Sequence, residues 1–563
     1  MKKYNIQSVK VNGVNRGERD LLEQIFIQNV ISKQDAAVND GIYSCRDIQV
    51  VMSEMPYIII QEKGFVVVDF GKEMCGRLHI LAVDNSEGEI HVRLGESVAE
   101  CYAELGEYEA GNYHSIRDWK LPVVSNADLS TSESGFRFAR IDVLSGGDFR
   151  IRNIYVESKR FASDKEGYFL SNDETVNKIY EVAKHTLSLC IQNGVVWDGV
   201  KRDRTVWTGD FHPELLSITS VYGCISEIEN VLNVGETYVA KDAWVNYIPA
   251  YSAWWIVCLN EYYRYYAKKA YVEGKLTSVK KILSAFDSII SSDGSIVFSS
   301  NQYITNHKFF LDWPTNDQED SYYGWISLLI HACREARKLL LEFGEDVMLV
   351  DDILERLLKN ATVDSAYKQV EALQFLTGRK EADAVRNALL EGGAKGMTGF
   401  MGYYILTAAV AAGGKEEVMP MIKDFYGGML QMGATSFWED FDVDWLKETP
   451  QGVDGIPEKD KKNIHRDYGQ FCYKGLRHSL CHGWTAGVLA FFVRTVLGIK
   501  PITPGCKKIQ VNPNLLGLTS VEGRVPTLYG DVYVKHTVSN GKIVSEIKVP
   551  QGVEICNDET NIY

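Results

Sequence analysis

V-V-W-D-G-V-K-R-D-R-T-V-W-T-G-D-F-H-P-E-L, residues 195–215, decides how the rest of the chain is read. Asp198, Asp203 and Asp210 lie within it, interleaved with Lys201, Arg202 and Arg204, with Trp197 and Trp207, and with glycines at 199 and 209. That mixture disfavours an uninterrupted helix and predicts an irregular loop between two helices. Loops held by a rigid scaffold are where binding and catalytic groups concentrate. Asp210 also directly precedes an apolar-periodic run, Phe211, Leu215, Leu216 and Ile218, so an N-cap is a second reading of it, with Pro213 tolerated in the first turn.

Downstream of the loop the apolar spacing is helical. Predicted helices cover 211–222, 250–268, 276–290, 320–343, 347–360, 399–412, 414–425 and 480–497. Immediately upstream, Val176, Ile179, Tyr180, Val182, Ala183 and Leu187 form one stripe after the start signal S-N-D-E at 171–174. Roughly a dozen helices without a fixed-period repeat favour a closed ring of helical hairpins over a bundle or solenoid. Residues 1 to about 160 alternate instead with a period of two. Short β-branched runs begin at Tyr57, Phe65, Arg77 and Glu89, separated by Lys63-Gly64, Gly71 and Glu87-Gly88, which predicts a β-sandwich. After Pro501 strands return, and 532–538 and 543–549 flank Asn540-Gly541 as a hairpin with a two-residue turn.

At 563 residues and 45% hydrophobic content the chain has material for several domains and a large core. A formal net charge of −15 argues against nucleic acid or an anionic membrane as partner. The most apolar window, 253–259, is too short to span a bilayer. M-K-K-Y-N-I-Q-S-V-K-V-N-G at the N-terminus lacks the apolar segment of a signal peptide, and eleven scattered cysteines fit reduced thiols, so a cytoplasmic location is expected. His478, Cys481 and His482 are the nearest approach to a metal motif, the two histidines falling at i, i+4 on one helix face, but nothing nearby completes it and no metal is expected.

Several further stretches join the loop in one resemblance. V-V-V-D-F-G-K (66–72), R-L-G-E-S (93–97) and S-G-F-R-F (134–138) precede it; L-D-W-P (311–314), T-G-F (398–400), G-A-T-S-F-W-E-D-F (433–441) and S-L-C-H-G-W (479–484) follow it. In that order, from about residue 60 to 515, they resemble the α-L-rhamnosidases of glycoside hydrolase family 78. W-T-G-D at 207–210 coincides with the end of that family's catalytic loop, Arg204 matches its arginine, and Asp203 stands where the family has the Glu that acts as general acid. The loop is one residue shorter here, so Asp198 matches the family's leading sugar-binding Asp across a gap.

The resemblance implies a multidomain chain: an (α/α)6 toroid catalytic domain at 166–500, flanked by N-terminal (1–165) and C-terminal (501–563) β-sandwich domains. It implies an inverting glycoside hydrolase without a cofactor, acting on small rhamnosides or oligosaccharides, with a homodimer left open. Asp203 would be the general acid and Glu439, of the W-E motif, the general base. Asp198, Arg202, Asp210, Asp312 and His482 would bind hydroxyls, and Trp207, Trp254, Trp313 and Trp438 would wall the sugar.

Plainer readings stand beside these. Asp203 pairs with a neighbouring arginine and only shapes the loop; Glu439 belongs to a solvated acidic patch with Asp440, Asp442 and Asp444; any single Trp is core. Two other functions also stay open. One is a toroid hydrolase for another, acidic sugar, clamped by Lys201, Arg202 and Arg204. The other is a carbohydrate-binding relative with weak turnover, in keeping with the Glu to Asp change.

Overall fold

In the computed structural model the structure describes residues 20–50, 55–84, 88–163, 165–298, 303–305, 307–316, 318–469 and 473–556. The lysine-bearing N-terminal stretch and Glu87, both used above, lie outside the described residues.

Eight strands between residues 20 and 161 form one continuous sheet. Its centre is a single strand, Ile58–Ala82, where the sequence predicts three. Lys63 and Gly71 do take left-handed conformations (φ 68° and 84°), but they bend the strand instead of ending it. The bends curl it so far that Ile151, on strand Phe149–Phe161, pairs with both Ile58 and Ala82. Val66, Val68, Leu78, Ile80, Val92, Phe136 and Ile154 fill the enclosed core.

Helices then run from Glu174–Cys190, capped by Asp173 as its start signal predicts, to Val418–Gln431. Along the chain, helices buried on nearly every side alternate with helices buried on one stripe. Phe211–Val221, Pro249–Tyr266 and Gly402–Ala411 are of the first kind; Glu227–Val239, Leu276–Ile289, Met348–Leu357 and Ala382–Leu390 are of the second. An inner layer covered by an outer one produces that alternation.

The predicted 480–497 helix is a correction. Residues 478–482 are not helical, and only Val488–Phe491 is α-helical, between a 3-10 segment at Gly483–Gly487 and a π-helical turn at Phe492–Val496. His482 pairs as a β-bridge with Gly199, so His478 and His482 do not share a helix face.

The C-terminal hairpin is present as Gly530–Ser539 and Lys542–Lys548, with Asn540 and Gly541 both left-handed, as a two-residue turn of this hand requires. Its sheet takes a fourth strand from far upstream, Tyr168–Ser171, which pairs with Ser520–Thr527. No described helix is long and apolar enough to cross a membrane.

Candidate active site

Residues 197–210 are irregular and lie against the mouth of the helical domain. The loop is fixed at its base by its own backbone. Gly483 N donates to Asp198 O at 2.8 Å, and Asp198 N to Thr205 O at 3.1 Å. Asp203 and Arg204 are consecutive left-handed residues (φ 55° and 52°). A side chain in that region costs energy that surrounding contacts must hold in place.

The holding contacts are ionic. Lys201, fully within the protein, places its ammonium 2.9 Å from Glu96 and 3.4 Å from Glu100 of the N-terminal domain. It donates further to Leu476 O (3.0 Å) and His478 O (2.8 Å). Glu96 accepts in turn from Leu480 N at 2.7 Å. Arg204 turns outward to Glu133 and stacks over Trp197. Ser115, from the N-terminal domain, donates to Lys201 O at 2.6 Å.

The loop faces a cavity lined by Asp198, Arg202, Asp203, Trp207, Asp210, Trp313, Glu439 and His482, together with Tyr251, His307, Tyr473 and Trp484. Eight of the eleven residues singled out in the sequence therefore meet in one place. Arg202 lies between the two candidate catalytic carboxylates, donating from Nη1 to Asp203 at 2.7 Å and from Nη2 to Glu439. Glu439 is buried, which sets aside the solvated-patch reading. Its Oε2 also accepts from Ser479 N (3.3 Å), and its backbone carbonyl from Trp484 Nε1 (3.0 Å).

The carboxylates are pushed apart electrostatically. Burial alone raises Glu439, but the Arg202 guanidinium paired with it outweighs that and holds Glu439 down at about 2. Burial raises Asp210 to about 8 although Tyr251 donates to it at 2.7 Å, and the negative charge of Glu439 adds to the rise. Asp198 is driven well above its usual range by burial and by Asp203. Asp210 makes no capping bond to its helix, so the N-cap reading does not hold. His482 is pushed down to about 3 by burial and is neutral, its ring 4.1 Å from that of Trp484.

Three residues expected at the site are not part of the cavity lining. Trp254 is two rings behind it, in a column running from His482 and Trp484 through Phe400 to Trp254 and His212. Trp438 is core, edge-on to Phe441 at 5.6 Å. Asp312 is buried and raised to about 6 by that burial. It accepts from Thr398 Oγ1 (2.6 Å) and Trp313 N (2.8 Å), and so orients Trp313, which does line the cavity. Tyr251, His307 and Tyr473 carried no signal in the sequence, because each comes from a segment whose approach to the loop is tertiary. His478 accepts from Asp440 N at 2.9 Å and Cys481 is buried, so the three residues of the weak metal motif do not converge. Among the described residues, Glu96, Glu100 and His465 do cluster, but Lys201 occupies the two carboxylates and Ser97 the His465 Nδ1.

Comparison with known proteins gives the architecture a setting. Residues 164–333 match the model of the bacterial alpha-L-rhamnosidase 6 hairpin glycosidase domain, and residues 498–556 that of the bacterial alpha-L-rhamnosidase C-terminal domain. An alpha-L-rhamnosidase from Alteromonas sp. (strain LOR) is 24% identical over 545 residues, covering 87% of this chain and 55% of that protein. A family 78 rhamnosidase of Bacillus sp. GL1 superposes with a TM-score of 0.69 at 21% identity, over 87% of this chain and 52% of that one. A rhamnosidase from Klebsiella oxytoca with rhamnose bound gives 0.65 at 18% identity, over 84% of this chain and 96% of that one. The chain thus spans about half the length of the first of these relatives, the Alteromonas and Bacillus proteins.

Proposed function

We propose that the protein is an inverting glycoside hydrolase of the α-L-rhamnosidase type, its helical layers closing as an (α/α)6 toroid between two β-sandwich domains. The observation that carries the reaction is the division of proton affinity within one cavity: Glu439 held at about 2, Asp210 at about 8, and Asp198 raised well up. A site that holds Glu439 ionised at the pH where neighbouring carboxyls keep their protons supports Glu439 as the base and Asp198 and Asp210 as hydrogen-bond donors to the sugar.

Glu439 is the base that takes a proton from water as the water attacks the anomeric carbon. Asp203, the least buried of the four carboxylates, donates to the departing oxygen at the mouth of the cavity, and Arg202 keeps the two oriented toward one substrate position. Asp198 and Asp210, carrying protons, donate to sugar hydroxyls, with Trp207, Trp313 and Trp484 as apolar walls. The relatives' names and the rhamnose bound in the Klebsiella oxytoca enzyme support a terminal α-L-rhamnose as the sugar.

A second assignment of the acid has its own support. Asp198 has the raised proton affinity that a donor requires, whereas Asp203 is ion-paired with Arg202. Proton NMR of the nascent product tests the reaction as a whole. The first sugar released from an aryl rhamnoside is expected with inverted anomeric configuration. Retention would overturn the roles given to Asp203 and Glu439, and absence of turnover on every rhamnoside would overturn the substrate.

A further inference from the structure

Asp203, as proposed donor, marks the side of the cavity from which the leaving group departs, and there the N-terminal domain meets the catalytic loop. Residues 113–115 dock on the loop at two points. Ser115 binds Lys201 O, as described, and His114 Nδ1 stands 3.2 Å from Asp203 Oδ1 with 57% of its side chain exposed. The base of this segment is fixed by Arg117, buried, which donates to Leu94 O (3.2 Å) and Ala103 O (3.1 Å).

Next to His114, Tyr113 is 43% exposed and begins a stack that runs inward to the reaction centre. Arg477 Cζ lies 4.6 Å from the Tyr113 ring and 4.3 Å from the Tyr473 ring; Arg202 Cζ lies 3.8 Å from the other end, at Tyr473. Trp313 flanks Tyr473 at 6.4 Å. Stacking satisfies the faces of a guanidinium but not its N–H edges, and Arg477 has no hydrogen-bond or ion-pair partner among the described residues. A stack serving only stability would be covered. This one leaves a tyrosine face and an imidazole open beside the proposed proton donor.

We propose that Tyr113, His114, Tyr473 and Arg477 form the subsite for the leaving group, a six-membered ring bearing hydroxyls, which stacks on the tyrosines while the Arg477 edge and His114 hydrogen-bond its substituents. A pyranose and a phenol share this chemistry. The inference rests on the hydrolase reading above for which side of the cavity the ring occupies.

The test compares kcat/KM on three substrates: α-L-rhamnosyl fluoride, whose leaving group has no ring, 4-nitrophenyl α-L-rhamnoside, and a rhamnosyl-glucose disaccharide. In Tyr113→Ala and Arg477→Gln the ratio of ring-bearing substrate to fluoride is expected to fall about tenfold, the size of one stacking contact. A fall confined to the disaccharide identifies a pyranose, and one confined to the nitrophenyl substrate a phenol. An unchanged ratio, or an equal loss on all three substrates, overturns the subsite. Should the wild type cleave none of them, the hydrolase reading falls by itself. The subsite is then judged by NMR line broadening of 4-nitrophenyl β-D-glucoside, expected to be weaker with Tyr113→Ala, and equal broadening overturns it.

Discussion

Glu439 and Asp210 share one cavity and are driven in opposite directions, and each has its own measurable signature. Glu439→Gln keeps the hydrogen-bonding shape and removes the base, so kcat is expected to fall by at least about 10²-fold; the thermal midpoint is expected to fall as well, because buried Arg202 loses an anionic partner. Asp203→Asn is expected to lose as much on a substrate with a poor leaving group and less on one with a good leaving group. If Asp203→Asn is near normal on both while Asp198→Asn is not, Asp198 is the donor. For Asp210 the folded value of about 8 lies above an unfolded value of about 3.9, so the native state binds the extra proton between them. Its contribution to stability is complete below about pH 4 and is lost as pH rises toward about 8. Melting curves across that window are expected to fall with pH in the wild type and to be flatter in Asp210→Asn. At this scale the sequence was informative wherever a residue type was out of place. Charges among aromatics flagged Asp198, Arg202, Asp203, Asp210 and Glu439, all of which line the cavity. Trp254 and Trp438 do not line the cavity: Trp254 sits in a helix buried on nearly every side, and Trp438, although next to Glu439 in sequence, turns to the core.

The loop itself is an element without regular structure, held by a salt bridge between domains. Removing the ammonium by Lys201→Met leaves Glu96 buried without its cation, leaves Glu100 with Arg117 alone, and frees the carbonyls of Leu476 and His478. Breaking a buried pair in this way costs about 3–5 kcal/mol, to be read from denaturant unfolding. Activity is expected to drop as well, because the left-handed pair Asp203-Arg204 loses what holds it. If Lys201→Met is as stable and active as wild type, the cluster has no positioning role. Long amphipathic helices and the Asn-Gly hairpin were legible because their signals are local. The 480–497 segment was not, because its first residues leave the helix to bridge Gly199 through His482, and its apolar run is split among 3-10, α and π turns. Lys63 and Gly71 likewise mark bends, and sequence alone does not tell a bend from an end when the strand is paired on both sides.

Across the whole molecule, the three layers exchange parts: the N-terminal domain lends Glu96, Glu100 and Ser115 to the loop, and the helical region lends Tyr168–Ser171 to the C-terminal sheet. Phe169 of that strand stacks on Phe492 at 4.9 Å and touches Tyr180 of the first long helix, so the pairing seats that helix too. Truncation before residue 498 is expected to bare an edge strand and lower the soluble yield, measured against the full chain. During synthesis the same strand leaves the ribosome several hundred residues ahead of its partner, Ser520–Thr527. At about 5–20 residues per second it waits for tens of seconds before it can be covered. The start of the helical region is thus made long before it is completed, and a translation pause between the two strands would prolong the interval in which an unpaired strand can find the wrong neighbour.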